Sequence, residues 1–380
     1  MSVSIIGVGL HPFGRFPISG RQMGLIAARE ALADAGLSWA DVGFAAGGSR
    51  DGGHADALVS ELGLTGVPFM SVYNGCATGG SALLAASHAI ESGACEVAMA
   101  IGFDKHARGS FASSPEEYGL QQWYGEAGMM VTTQFFALKL QRYLHEHDLD
   151  PRLLAELTAK SLRNGSITPH AWRRNPLSVD EIADATMVND PLTKYMFCSP
   201  SEGGAAIVLT STERAKQMSS RSVELRAVEF RTRRFGTFEV FSPSLAGEIT
   251  PGATVFAAKA AFETAGIGPG DIDVAQLQDT EAGAELMHLA ECGFCEHGGQ
   301  GELIMSGALE VGGSLPVNTD GGCIANGEPI GASGLRQVIE CTVQLQGRAG
   351  DRQVPGDPRT AFTQVYGAPG LSTCTVLVRG

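Results

Sequence analysis

Asn74-Gly75-Cys76-Ala77-Thr78-Gly79-Gly80-Ser81 lies between an apolar, strand-like run, Pro68-Phe69-Met70-Ser71-Val72-Tyr73, and an Ala-rich run over residues 82–90. A strand, a tight turn with one cysteine, and then a helix is a recurring way to present a nucleophile. The glycines let the backbone turn sharply and leave room for a substrate. The helix directs unpaired N–H groups and the positive end of its dipole at the sulfur. That placement is expected to lower the thiol pKa and raise the thiolate fraction at neutral pH. A lone cysteine in an apolar chain is otherwise most often a small buried hydrophobe; the flanks here favour the nucleophile.

Outward from this turn, strand and helix alternate. Residues 3–8 read as a buried strand ending in Gly7-Val8-Gly9. A dinucleotide fingerprint would want a glycine at position 12, where Pro12 stands, so that reading is set aside. An amphipathic helix over 21–35 is stopped by Gly36. A short strand (42–46), a helix (55–62) and, after the Cys76 turn and its helix, a buried strand (97–101) follow. This alternation predicts an α/β layered architecture. From about 105 to 190 aromatics and charges mix, with helical segments at 129–146 and 151–164 and no strands between them. This stretch reads as an insertion over the core, a common carrier of binding groups. A buried strand over 203–210 and a helix over 212–218 close the first unit.

A second strand-rich unit opens at 223 and echoes the first. Ala28-Arg29-Glu30-Ala31-Leu32-Ala33-Asp34-Ala35-Gly36-Leu37 aligns without a gap to Ala258-Lys259-Ala260-Ala261-Phe262-Glu263-Thr264-Ala265-Gly266-Ile267. Asp41-Val42 and Asp271-Ile272 extend the match. Ala77-Thr78-Gly79 echoes Ala332-Ser333-Gly334, each opening a helix that ends at a glycine, Gly93 or Gly347. The pattern predicts an N-terminal half over 1–220, including the insertion, and a C-terminal half over 221–380. Packed face to face, they would bring the Cys76 turn opposite the 321–334 turn.

Composition narrows the class. The chain has 380 residues, 44% hydrophobic and 18% charged, enough for a large core. Its formal charge of −14 argues against a general nucleic-acid surface, so an anionic ligand would need a local basic patch. Arg173-Arg174 and Arg231, Arg233 and Arg234 are the candidates. The eight cysteines are irregularly spaced and do not form a disulfide framework. Cys292-Gly293-Phe294-Cys295 lacks the second ligand pair that zinc requires, so no metal site is expected. No stretch approaches the ~18 apolar residues of a membrane span. The N-terminus has no basic segment ahead of an apolar one, and Leu377-Val378-Arg379-Gly380 is not a peroxisomal address. A soluble cytoplasmic protein is the expectation.

Several motifs together resemble the thiolase superfamily over nearly the whole chain. The resemblance is nearest to sterol-carrier-protein-x-type thiolases and bacterial thiolase-like lipid-transfer proteins. They are Asn74 to Gly79 as quoted, Ala100-Ile101-Gly102-Phe103-Asp104-Lys105, Asp190-Pro191-Leu192-Thr193, Glu202-Gly203-Gly204-Ala205-Ala206, Leu289-Ala290-Glu291-Cys292-Gly293-Phe294-Cys295, Val317-Asn318-Thr319-Asp320-Gly321-Gly322 and Asn326-Gly327-Glu328-Pro329-Ile330-Gly331-Ala332-Ser333-Gly334. The resemblance implies a five-layered fold of two repeated βαβαβαββ halves with an inserted loop domain. It implies an acyl-CoA substrate, no bound cofactor beyond coenzyme A as substrate, and a homodimer. Some members of this fold act with an OB-fold, zinc-ribbon partner protein. The nucleophilic cysteine falls on Cys76. Three positions depart from the family pattern. The Gly-His-Pro histidine falls on Glu328. The second cysteine falls near Ala368 in Tyr366-Gly367-Ala368-Pro369-Gly370, with Cys374 too far along to replace it. The motif that supplies an Asn or His reads Gln278-Asp279-Thr280-Glu281.

These departures bear on the chemistry. Thiolysis needs a thiolate, an oxyanion hole and an acid/base for the departing carbon. An ionised Glu328 would keep Cys76 protonated, because like charges side by side raise one pKa. Glu328 therefore reads as an acid of raised pKa, as a general base, or as a cap of the following helix. The expected activity is a thiolase-type acyltransferase making or breaking a carbon–carbon bond in a 3-oxoacyl-CoA. Cys76 would be the nucleophile, Glu328 the acid/base, and Asp279 or Glu281 a lesser polar partner. Backbone N–H groups around Gly331 and Ser333, or near Gly370, would form the oxyanion hole, with Arg173 and Arg234 toward the substrate. Retro-aldol cleavage of a β-hydroxyacyl-CoA, such as a steroid side chain, is the alternative, and Glu328 and Tyr366 would suit it. A non-catalytic acyl-CoA or lipid binder is the third reading.

Overall fold

The computed structural model describes residues 2–107, 109, 112–218, 221–239 and 250–380. Its strands are β1 (Val3–Gly14), β2 (Phe44–Gly48), β3 (Phe69–Ser71), β4 (Val97–Lys105), β5 (Met187–Asn189), β6 (Leu192–Thr193), β7 (Glu202–Ser211), β8 (Val223–Thr232), β9 (Val274–Leu277), β10 (Thr360–Gly367) and β11 (Leu371–Arg379). β5 and β6 make a small hairpin; the rest form one sheet of order β3-β2-β4-β7-β1-β8-β11-β10-β9.

The two halves repeat one topology. β2 runs parallel to β3 and β4, β4 antiparallel to β7, and β7 antiparallel to β1. In the second half β9 is parallel to β10, β10 antiparallel to β11, and β11 antiparallel to β8. A single parallel bridge, Ala275 with Val317, stands where the first half has β3. The halves meet where β1 pairs antiparallel with β8, Val3 opposite Leu225 and Ile5 opposite Val223. The two sheets expected from the repeat are thus continuous. Even the connections repeat. Gly36 and Gly266 both end their helices in the left-handed conformation, and the Asp41 and Asp271 carboxylates each accept the N–H three residues back, at 2.8 Å.

Two helices fill the space between the halves. The Thr78 helix (Thr78–Glu91) and the Ser333 helix (Ser333–Leu345) pack on each other and touch strands of both halves. Their Ala82, Leu83, Ala86, Leu335 and Val338 share one core with Ile5 and Leu209 of the first half and Leu225 and Ala361 of the second. This burial explains the Ala-rich run: a helix enclosed by sheet and helix has room only for small and apolar side chains. A Cβ on Gly79 would come within 2.8 Å of the Leu335 N, and one on Gly102 within 1.8 Å of the Gly331 O. On the outer faces the helix Gly20–Ala35 covers Met99 and Val208, and the helix Ala253–Ala265 covers Phe362 and Val376. Helix, sheet, helix pair, sheet and helix make the expected five layers.

Some boundaries differ from the sequence reading. β1 extends to Gly14, six residues beyond Val8, because Leu10 and Gly14 still find partners in Ala205 and Glu202 of β7. β4 likewise reaches Lys105, opposite Glu202. In the insertion the two long helices are Thr132–Glu146 and Arg152–Ser166. The second is tied to the C-terminal half: the Lys160 Nζ donates to Glu285 and to the Val317 O, and the Asn164 Nδ2 to the Asn318 O at 3.0 Å. No helix among the described residues is long and apolar enough to cross a membrane.

At the end of β4 the fully buried Asp104 carboxylate accepts from the Ser49 Oγ (2.9 Å) and from the N–H groups of Arg50 (3.0 Å), Asp51 (2.7 Å), Gly52 (3.0 Å) and Gly331 (2.8 Å). Asp104→Ala leaves several of these donors unsatisfied. Urea unfolding of that variant is expected to show a loss on the order of 3–5 kcal/mol, with a lowered midpoint; a change within about 0.5 kcal/mol, as at ordinary surface sites, would contradict this.

Candidate active site

The Cys76 turn is built from local hydrogen bonds. The Asn74 N–H donates to the Thr78 Oγ1 at 2.9 Å, the Thr78 hydroxyl to the Gly75 O at 2.6 Å, and the Asn74 Nδ2 to the Ser81 Oγ at 2.8 Å. Gly75 has φ 56°, and a Cβ there would meet the Ala368 O at 2.8 Å. The turn is therefore backed by Gly367-Ala368 at the end of β10, and Cys76, directly before the helix, opens onto a cavity.

Glu328 reaches the same cavity from the second half. Gly327 turns at φ 81° after the short helix Gly322–Asn326, and the Glu328 N–H donates to the Ser199 O at 3.0 Å. The buried carboxylate accepts from the Ser333 Oγ at 2.5 Å and from the Gln278 Nε2 at 3.2 Å. It faces the Cys76 sulfur. Burial, then the charge of Glu328, then hydrogen bonding to Glu328 push the Cys76 thiol well above its ordinary value. This corrects the expectation that the turn and helix lower it.

The cavity is mainly apolar. Its walls carry Arg50, Tyr73, Cys76, Cys198, Thr280, Glu328, Ile330 and Tyr366, and the insertion adds Ser113, Tyr118, Thr132, Thr133 and Phe136. Among the described residues no histidine lines it. Tyr366 is at the end of β10, its hydroxyl donating to the Glu239 Oε2 at 2.8 Å.

Other nominated residues have different partners. The Asp279 carboxylate accepts the N–H groups of Cys323 (2.5 Å) and Ile324 (3.2 Å), capping the helix Gly322–Asn326. Glu281 caps the helix Ala282–Glu291 through the Gly283 N–H, and burial pushes its carboxyl up to about 8. Neither lines the cavity; Thr280 between them does. Arg173 donates to the Phe197 O (2.8 Å), the Ile324 O (3.2 Å) and the Ser199 Oγ (2.5 Å), holding the cavity wall from behind. Arg234 stacks over the Phe256 ring at 3.6 Å, away from the cavity. The proposed oxyanion donors are engaged: the Gly331 N–H by Asp104 (2.8 Å), the Ser333 N–H by the Pro329 O (3.0 Å), and the Gly370 N–H by the Gly367 O (2.9 Å).

Sequence reasoning missed four groups. Gln278 joins the Glu328 turn to β10: its Nε2 donates to Glu328 and its Oε1 accepts the Tyr366 N–H at 2.5 Å. Its place beside Asp279 was the available signal. Arg50 is a cation at the cavity, and Cys198 is a second thiol there, pushed up by burial and then by Glu328. Glu239 had no motif to mark it.

Comparison with known proteins agrees with this architecture. The family described as "Thiolase C-terminal domain-like" matches residues 242–379. The chain is 31% identical over 401 residues to sterol carrier protein 2 of Gallus gallus, covering 100% of this chain and 72% of that protein. It is 31% identical over 391 residues to an acetyl-CoA acetyltransferase of Methanothermobacter thermautotrophicus, covering 99% of each. Among solved structures the Ltp2-ChsH2(DUF35) aldolase matches with a TM-score of 0.87 at 23% identity, over 100% of this chain and 98% of that one.

Replacing Glu328 by Gln removes the charge that holds the proton on Cys76. Alkylation of Cys76 by iodoacetamide at pH 7, followed by peptide mass spectrometry, is expected to be slow in the native protein and about tenfold or more faster in Glu328→Gln, the effect of one pKa unit. Equal rates would mean that the carboxylate does not control the thiol.

Proposed function

This chain belongs to the thiolase superfamily, and from that premise we propose that it works on a coenzyme A thioester by retro-aldol cleavage of the carbon–carbon bond of a β-hydroxyacyl group. The observation that carries this reading is the Glu328 carboxylate beside Cys76, in a cavity that no histidine among the described residues lines. An acyl-enzyme route needs a thiolate, and a free thiol is already only a few per cent ionised at pH 7. Burial and Glu328 reduce that fraction further. Retro-aldol chemistry needs no thiolate. It needs a base for the β-hydroxyl proton, and the Glu328 carboxylate, held by Ser333 and Gln278, has that character. As the carbon–carbon bond breaks, its electron pair passes into the thioester enolate. Arg50, on the cavity wall, is a cation available to its oxygen. Tyr366 is the acid for the α-carbon.

A second reading, acyl transfer through Cys76 with Glu328 as its general base, draws on the placement of Cys76 at the start of the Thr78 helix and on the acetyltransferase relative. One experiment separates the two. Under the retro-aldol reading a β-hydroxyacyl-CoA panel yields carbonyl product. Cys76→Ala keeps turnover within about fivefold, Glu328→Gln lowers it by about 10²-fold or more, and intact-mass spectra after mixing with 3-oxoacyl-CoA show no covalent adduct. An acyl adduct that vanishes in Cys76→Ala would establish the acyl-enzyme instead.

A further inference from the structure

Behind Tyr366 lies a buried polar cluster that the cavity chemistry above does not use. The Tyr366 hydroxyl donates to the Glu239 Oε2 at 2.8 Å, and the Lys139 Nζ reaches the same oxygen at 3.4 Å. The Lys139 Nζ also sits 5.6 Å from the centre of the Tyr366 ring. Glu239 is 2% exposed at its side chain and Lys139 23%. Lys139, Glu239 and Glu291 line a second cavity on the far side of Tyr366, distinct from the one that holds Cys76 and Glu328. Tyr366 thus has one face on the reaction cavity and its hydroxyl on a carboxylate and an ammonium that border another.

The charged groups around this cluster come from several elements. Helix Thr132–Glu146 presents Lys139. Helix Ala282–Glu291 presents His288, whose ring lies 6.3 Å from that of Tyr366 and whose Nδ1 is 2.7 Å from the Glu291 Oε2. Burial works against the Lys139 ammonium, but Glu239 and Glu291 outweigh it, with Glu281 further off, and raise its pKa; the lysine is a cation. The same lysine, with burial opposing and His288 assisting more strongly, holds Glu291 down at about 2.

We propose that Lys139 and Glu239 are positioning residues that supply a proton through Tyr366 to the α-carbon of the cleaved acyl thioester, with the second cavity as their outlet to solvent. The proposal rests on the retro-aldol reading and adds the source of the proton that Tyr366 delivers. Glu328 takes the β-hydroxyl proton, the carbon–carbon bond breaks, and its electron pair becomes the thioester enolate. The Tyr366 hydroxyl turns from Glu239 into the reaction cavity and gives its proton to the enolate carbon, forming a C–H bond. The phenolate left behind recovers a proton from Lys139 by way of Glu239. Lys139 is reprotonated by water in the second cavity, and Glu328 returns its proton to water. No proton is gained or lost overall, and no redox partner is required.

The test follows the α-carbon alone. Propionyl-CoA incubated with the protein in D2O is expected to acquire α-deuterium, read by mass spectrometry. Tyr366→Phe, Glu239→Gln and Lys139→Met should each slow this exchange about tenfold or more, with propionyl-CoA affinity kept within about twofold. Lys139→Arg, which retains the charge, should recover part of the rate. Because Lys139→Met leaves buried carboxylates uncompensated, the charge-balanced double variant Lys139→Met/Glu239→Gln is measured beside it. Slow exchange in that folded variant supports the relay. Exchange within twofold of the native rate in it and in Glu239→Gln, or no exchange by the native protein, overturns the relay. Exchange that persists while no β-hydroxyacyl-CoA is cleaved would remove the retro-aldol reading and leave the relay standing. Cleavage without Lys139-dependent exchange would do the reverse.

Discussion

The Asp104 carboxylate joins the two halves at the point where the chemistry is held. Four of its five donors belong to residues 49–52 of the first half, and the fifth is the Gly331 N–H of the second. A buried carboxylate is costly unless its lone pairs are satisfied, and this one is satisfied by groups that occur together only in the assembled fold. The loop it gathers sets Arg50 at the cavity. The turn it gathers contains Glu328. His106 adds a parallel tie: its Nε2 accepts the Ile330 N–H at 3.2 Å, so its Nδ1 donates to Asp51 at 2.6 Å. The near contact of Gly102 with the Gly331 O shows how little slack the junction has.

The turn carrying Glu328 is also supported from within the second half. Asp320 and Arg336 form a fully buried ion pair, and Arg336 reaches the Gln276 Oε1 of β9 at 3.2 Å. Burial works against the Asp320 charge, but the guanidinium beside it prevails and holds the carboxyl well below the usual range. Asp279 caps the intervening helix Gly322–Asn326. Such buried pairs add little net stability over apolar packing, but breaking one partner is costly. They act here by fixing where the backbone between Asp320 and Ser333 can lie, and so where the Glu328 side chain points.

The electrostatics of the cavity follow from two competing effects on Cys76. A helix N-terminus favours an anion by about 0.3–1 kcal/mol, up to ~2 kcal/mol when partly buried. The neighbouring Glu328 carboxylate opposes it, and burial opposes it as well. The carboxylate and burial prevail. The Glu328 carboxylate thus turns a setting shaped for a nucleophile into one that keeps the thiol protonated. On the same wall, Tyr366 is linked to Glu239, and Glu239 to Lys139.

Much of this was legible in the residues. The ungapped match of 28–37 with 258–267 announced the repeat, and the structure repeats it down to the left-handed Gly36 and Gly266. The matching turns before Thr78 and Ser333 implied that Cys76 and the Glu328 turn would face each other, because two like halves packed on their inner helices bring equivalent turns together. Local patterns of glycine, apolar period and caps are short-range physics, and they are written in adjacent residues. What the chain did not disclose were pairings between side chains far apart in sequence: Tyr366 with Glu239, Gln278 with Glu328, Arg173 with the Phe197 carbonyl, and Asp279 with a helix start 44 residues on. Asp279 and Glu281 look like site residues by type and position. Whether a carboxylate faces a substrate or caps a helix depends on which N–H groups the folded layers bring within 3 Å of it. That is decided by the packing of the two halves, through long-range contacts that no local stretch of sequence encodes.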